Sequence, residues 1–341
     1  MRASEINDSF ELMYMMAATG GRGDELFGDC ENLLLKAVKN FAIEGSTPSF
    51  YLEFPLIGEP CADISLVYNY LPAGSLLPCM SFFGYQKAVE WYHTLPLERG
   101  YSIGFEVDTS SGETDKAGIV FQQRRSPERI EPFLKNIGEE RRAASYLTVS
   151  ERLPSHMSSA YIAIFPGRPE AVTRMGGYMN AETSNAIAES PELLRSSFEA
   201  AGFKAWNDEM LSLCRALYSA AGATDFQFDI CPDGSLSDTF GLNISLNHVR
   251  PADALRCTKE ADEKAIFAKL KQYGLIDERY KKLPGASFAK GFPGTRYDGS
   301  AGLLALSSRF SYVKVKFKGG KPVTTKFYML MKAAVIGNGS L

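Results

Sequence analysis

The chain has 341 residues, 45% of them hydrophobic and 23% charged, which is enough to bury a large core. A net charge of −3 supplies no global field to gather nucleic acid or an anionic membrane, so any anion site must be local. Six cysteines without a CxxC pair, and three histidines far apart at 93, 156 and 248, argue against a zinc site and against a disulfide framework.

The opening MRASEINDSFELMYMM mixes acidic residues into an apolar run far too short for a leader or a spanning segment. No later run approaches the roughly 20 residues a membrane helix needs, so the expectation is a cytoplasmic protein with no membrane partner. GGRGDELFGD then reads as a glycine-bearing helix entry rather than a phosphate cradle. From there, stretches of helical spacing alternate with hairpins. Helical periodicity covers 25–41, 86–94, 128–149, 192–220 and 260–273. SPERIEPF and SPELLRSS each place Pro at a first helical position after a capping Ser.

The hairpins are FYLEFPLIGEPCADISLVYNY, GYSIGFEVDTSSGETDKAGIVFQQ, SSAYIAIFPGRPEAVTR, DFQFDICPDGSLSDTFGLNISLN and RFSYVKVKFKGGKPVTTKFYMLM. Their turn glycines are Gly58, Gly112, Gly167, Gly234 and Gly319, the residue that tolerates the positive φ of a tight turn. In the third hairpin, PEAVTRMGG also fits the start of a helix. Ahead of the fifth lies LPGASFAKGFPGTRYDGSAG, which reads equally as a lid, an acceptor-binding loop or a surface insertion.

No linker divides this order, so residues 1–341 are read as one domain. Ten antiparallel strands with helices between the hairpins predict an α+β architecture: a ten-stranded antiparallel β-barrel surrounded by helices, because closure removes sheet edges. An open α+β sheet is the alternative.

Splitting each strand into its two faces separates Phe240, Leu242, Ile244 and Leu246 from Thr239, Gly241, Asn243, Ser245 and Asn247. The same split sets Glu53 and Tyr51 against Leu52 and Phe54, Tyr161 and Ser159 against Ala160 and Ile162, and Lys314 and Lys316 against Val313, Val315 and Phe317. Lys326 and Tyr328 share a face on the last strand, and Lys116 lies on the polar face with Gly118. Polar faces of antiparallel sheets usually meet water. Here, however, the helices carry apolar stripes that must be buried, and the apolar strand faces are the surfaces available to them. The polar faces therefore turn inward, into a lumen wider than its side chains fill. Lysines in such a lumen imply an anionic guest or paired carboxylates.

AIEGSTPSFYLEF with Glu53, GFEVDTSSGETDKAGIVF with Lys116, FDICPDGSLSDTFGLNISL, and TKFYML with Lys326 and Tyr328 resemble strands of the aromatic prenyltransferases of the ABBA fold. That fold is a barrel of ten strands in repeated α-α-β-β units, and the nearest likeness is to the enzymes that prenylate cyclic peptides in cyanobactin-type pathways. Where that group has an arginine on the second strand of the first hairpin, ADISLVY carries no basic residue. The diphosphate contact that the resemblance implies there must come from elsewhere or be absent.

The resemblance implies transfer of an isoprenyl group from an allylic diphosphate, dimethylallyl or geranyl, to an electron-rich aromatic or other nucleophilic acceptor such as a peptide side chain. Glu53 would be the general base. Lys116, Tyr161, Asn243, Ser245, Lys314, Lys316, Lys326 and Tyr328 would bind the diphosphate, with aromatic faces shielding the cation. No protein-bound metal is implied, and Mg²⁺ accompanying the diphosphate stays open. DDxxD, Walker and GxGxxG sequences are absent. The rival reading is a ligand- or peptide-binding barrel without catalysis.

Overall fold

The computed structural model describes residues 1–78, 83–96, 100–109, 117–123, 126–166, 172–179, 181–221, 224–246, 260–295 and 301–337. β1 (Ser49–Pro55), β2 (Asp63–Tyr68), β3 (Ser102–Val107), β4 (Gly118–Gln122), β5 (Met157–Ile164), β6 (Thr173–Met179), β7 (Thr224–Ile230) and β8 (Leu236–Ser245) pair antiparallel in sequence order. β8 then joins β10 (Ala301–Lys318), β10 joins β11 (Lys321–Gly337), and β11 returns to β1, closing the expected ten-stranded barrel. The last hairpin turns on Gly319 and Gly320, with φ of 57° and 77°, values that favour glycine at both positions.

β9 (Phe288–Thr295) is an eleventh strand that the sequence reading did not anticipate. It pairs with Ala301 to Ser308 of β10, where β10 runs beyond its pairing with β8. The segment read as a lid or loop therefore supplies a strand, while 296–300 lie outside the described residues. FAKGFPGT, with two glycines and a proline, lacks alternation, and its pairing comes entirely from the extended β10.

The helices are α1 (Ala3–Gly21), α2 (Gly23–Leu26), α3 (Glu31–Phe41), α4 (Phe83–Tyr92), α5 (Ile130–Asn136), α6 (Ala143–Arg152), α7 (Ala181–Glu189), α8 (Glu192–Ala201), α9 (Asp208–Ala221) and α10 (Glu260–Gln272). Three expected helices are each divided, the first of them, 25–41, into the end of α2 and α3. The 128–149 stretch becomes α5 and α6, and 192–220 becomes α8 and α9, broken at Gly202 with φ 104°. Ser126 does not cap a helix through its side chain; its hydroxyl accepts a hydrogen bond from Tyr101 at 3.1 Å, and Pro127 opens a short 3₁₀ turn. At α8 the N-cap is Pro191 itself, without a side-chain cap. α1 was missed although Ile6, Phe10, Met13, Tyr14 and Ala17 are buried at helical spacing.

These helices cover the apolar strand faces. Phe198 of α8 lies 5.3 Å from Phe226, 4.9 Å from Phe228 and 4.9 Å from Phe240, ring centre to ring centre. Phe10 of α1 lies 5.0 Å from Phe50. Full burial of each such ring contributes roughly 2–3 kcal/mol relative to leaving it in water. The outward residues Leu52, Phe54, Leu242, Val313 and Val315 are completely buried, whereas the inward Tyr51, Tyr161, Tyr312, Lys314 and Lys326 keep partial exposure. The lumen is thus the wetter side of the sheet. Ser159, expected on the polar face with Tyr161, departs from it at a register shift between Ser159 and Tyr161. Its hydroxyl lies 2.8 Å from that of Ser150 on α6 and accepts from Gln123 at 2.9 Å. Among the described residues, no helix is long and apolar enough to cross a membrane.

Candidate active site in the barrel lumen

Cross-strand pairing places Glu53 of β1 between Tyr328 of β11 and Asp63 of β2. Lys326 Nζ lies 2.8 Å from Glu53 Oε1 and 2.8 Å from Asp63 Oδ2, bridging two carboxylates that are 6% and 9% exposed. Asp63 Oδ1 also accepts from the Thr109 backbone N–H at 2.8 Å. The second oxygen of Glu53, Oε2, is buried without a partner at full hydrogen-bonding distance, and the Tyr328 hydroxyl faces the carboxylate closely enough to help keep it ionised. Burial alone would push the Glu53 carboxyl up, but Lys314 and Lys326 outweigh it and hold the group well below the usual carboxylate range. Burial lifts Asp63 to about 6 against the pull of Lys326, with Glu53 and Asp108 adding to the rise. For Lys326, burial works against the ammonium, yet Glu53 and Asp63 keep it above the usual lysine range.

Next to this bridge stands an aromatic wall. Tyr312 and Tyr328 stack with ring centres 4.1 Å apart, and Tyr51 is 6.3 Å from Tyr312. Lys314 Nζ sits 5.0 Å from the centre of the Tyr328 ring, a cation–π contact. Burial pushes Lys314 down to about 8, even with Glu53 nearby. Among the described residues Lys314 has no ion pair, so it remains available to an anion.

The facing wall comes from β5 to β8. Arg174 Nε is 3.0 Å from Asp229 Oδ1, and its guanidinium carbon lies 5.0 Å from the centre of the Phe165 ring. Tyr161 accepts a hydrogen bond from the Gln227 amide and lies flat on Gly176, where an added Cβ would fall 1.8 Å from the ring. Asn243 pairs across strands with Lys314 and with Asp225. Burial raises Asp225 to about 7. Because its folded value is raised, its protonated form favours folding below about pH 4, and that advantage is lost as pH climbs through 7. Asp225→Asn is accordingly expected to stabilise the protein at pH 8 by on the order of 1–2 kcal/mol and to change little at pH 4; denaturant unfolding at the two pH values checks it.

Of the residues singled out from sequence, Glu53, Lys314, Lys326 and Tyr328 come together on one wall. Lys316 lies farther along β10, paired with Gly241, and Ser245 pairs with Tyr312. Tyr161 is on the other wall, and Lys116 lies outside the described residues. Asp63, Arg174, Asp225 and Tyr312 were missed. Asp63 opens the strand whose sequence lacks the arginine of the resembled group, and Arg174 lies in a segment whose sequence also fits a helix. Among the described residues no group of three His, Cys, Asp or Glu side chains could hold a metal ion.

No protein-family model matches the sequence, and neither does any curated protein. Solved structures are similar throughout the fold. Prenyltransferase PriB, in ternary complex with L-tryptophan and dimethylallyl thiolodiphosphate, is 9% identical over 96% of each chain with a TM-score of 0.51. Its binary complex with product diphosphate gives 9% identity over 96% of each chain and a TM-score of 0.50. The 5-dimethylallyltryptophan synthase of Streptomyces coelicolor is 9% identical over 98% of this chain and 97% of its own, with a TM-score of 0.47. The likeness to PriB establishes the fold, that of the ABBA prenyltransferases.

Proposed function

We propose that this chain, built on a prenyltransferase barrel, transfers an isoprenyl group from an allylic diphosphate to an electron-rich aromatic or other nucleophilic acceptor, peptide side chains included. The observation that carries the reading is Glu53 itself: a buried carboxylate held ionised by Lys326 on one oxygen, beside a stacked tyrosine pair whose Tyr328 faces it across strands. Lys314 would take the charge growing on the leaving diphosphate, with Lys316, Lys116, Ser245 and the amide N–H₂ of Asn243, not its oxygen, as further contacts and Tyr161 and Tyr328 as hydroxyl donors. The rings of Tyr51, Tyr312 and Tyr328 would shield the allylic cation, each for roughly 1–2 kcal/mol when desolvated. The proton Glu53 then removes belongs to a positively charged adduct, which is strongly acidic. A carboxylate kept ionised serves that step even though it is a weak base.

Dimethylallyl and geranyl diphosphates are the donors to try first, with and without Mg²⁺, by calorimetric titration followed by mass analysis of aromatic and peptide acceptors. A second reading, a non-catalytic ligand- or peptide-binding barrel, is favoured by one specific feature: Lys326 and Arg174 are already neutralised by carboxylates. That reading predicts no mass gain on any acceptor and no binding selective for isoprenyl diphosphates.

Lys314 makes donor binding depend on pH. Its folded value of about 8 would rise once a diphosphate lies beside it, so binding takes up a proton near pH 8. Affinity is therefore expected to fall about tenfold between roughly pH 7 and 9, and to lose that slope in Lys314→Met. Titration in buffers of different ionisation enthalpy measures the proton directly.

A further inference from the structure

The proposed transfer places its reacting proton on the wall formed by β1, β2, β10 and β11. Across the lumen, Asp225 has no assigned hydrogen-bonding role. It pairs across strands with Tyr178 of β6 and Asn243 of β8, which puts all three on the lumen side, while their neighbours Phe226 and Leu242 are completely buried outside. Asn243 is 6% exposed, and its amide oxygen receives no hydrogen bond. Among the described residues Asp225 has neither a hydrogen bond nor an ion pair. The neighbouring cations do not satisfy the pair: Arg174 is bound to Asp229 at 3.0 Å, and Lys326 bridges Glu53 and Asp63. Lys314, opposite Asn243, lies over the Tyr328 ring.

Two side-by-side acceptors, one of them anionic, in a partly desolvated lumen call for a group that brings N–H donors and positive charge. A diphosphate oxygen placed there would meet like charge and could donate nothing to the Asn243 oxygen. We infer that Asp225 and the Asn243 amide oxygen form a subsite for a cationic, N–H-bearing group of the acceptor, a guanidinium or an ammonium. This rests on the reading that the lumen takes the acceptor. Charge-assisted hydrogen bonds to Asp225, with the Tyr178 ring on the adjacent strand, would hold that group while the reactive part of the acceptor lies toward Glu53.

The test is calorimetric titration at pH 8 with 2-phenylethylguanidine, 2-phenylethylamine and the neutral 2-phenylethylurea. The cationic probes are expected to bind at least tenfold more tightly than the urea, the tighter of the two identifying guanidinium or ammonium as the natural group. Asp225→Asn is expected to abolish the preference, with its thermal unfolding showing that the variant is folded. Equal binding of all three probes, or a cation preference that survives Asp225→Asn, would overturn the subsite. A cation preference that depends on Asp225, in a protein that binds neither dimethylallyl nor geranyl diphosphate, would support the subsite and overturn the transfer reading alone.

Discussion

Lys326→Met is expected to lower stability by about 3 kcal/mol, the lower end of the range for removing one partner of a buried ion pair because the lysine is itself 30% exposed. With roughly 2.1 cal/mol/K of unfolding entropy per residue, that is a drop of about 4 °C in Tm. The cause is not only a lost attraction. Glu53 and Asp63 would be left as adjacent buried carboxylates with no cation between them, and each would disfavour ionisation of the other. Their folded pKa values would then lie above the unfolded ones, so the protonated forms favour folding. The deficit of the variant should accordingly shrink as pH falls from 7 toward 5. Combining Lys326→Met with Glu53→Gln and Asp63→Asn removes both charges and should recover most of the loss. Denaturant midpoints of the single and triple variants decide it, and a single variant as stable as the wild type would show that the bridge contributes nothing.

Glu53→Gln is expected to reduce prenyl transfer by about 10²–10⁴-fold, the range general-base removal gives, while donor binding remains. The amide keeps the size of the carboxylate and can still accept from Lys326, and Asp63 continues to hold that lysine at 2.8 Å. What is lost is the ionised carboxylate next to Tyr328 of the stacked pair. The check is a pair of measurements on one preparation: donor affinity by titration and product formation by mass. Unchanged turnover would remove Glu53 from the role, and joint loss of binding and turnover would make it a positioning residue for the site.

Much of the lumen was legible in the sequence because side-chain alternation along a strand is a local property. Val313, Val315 and Phe317 against Lys314 and Lys316 needed only period two, and the helical stripes fixed which face was covered. That reasoning placed Glu53, Lys314, Lys326 and Tyr328 inside the barrel, and the Gly319–Gly320 turn set the last hairpin. It failed where a local irregularity interrupts the period: the register shift between Ser159 and Tyr161 turned Ser159 toward α6.

Partners across the closure were beyond any local pattern. Lys326 meets Asp63 over a separation of 263 residues because β11 returns to β1, and nothing along either segment announces the other. The sequence raised an anionic guest and paired carboxylates as the two outcomes for lysines in a lumen. Tertiary structure chose carboxylates for Lys326 and left Lys314 without an ion pair among the described residues, because burying a cation is tolerable only where the closed sheet brings a counter-charge within hydrogen-bonding reach.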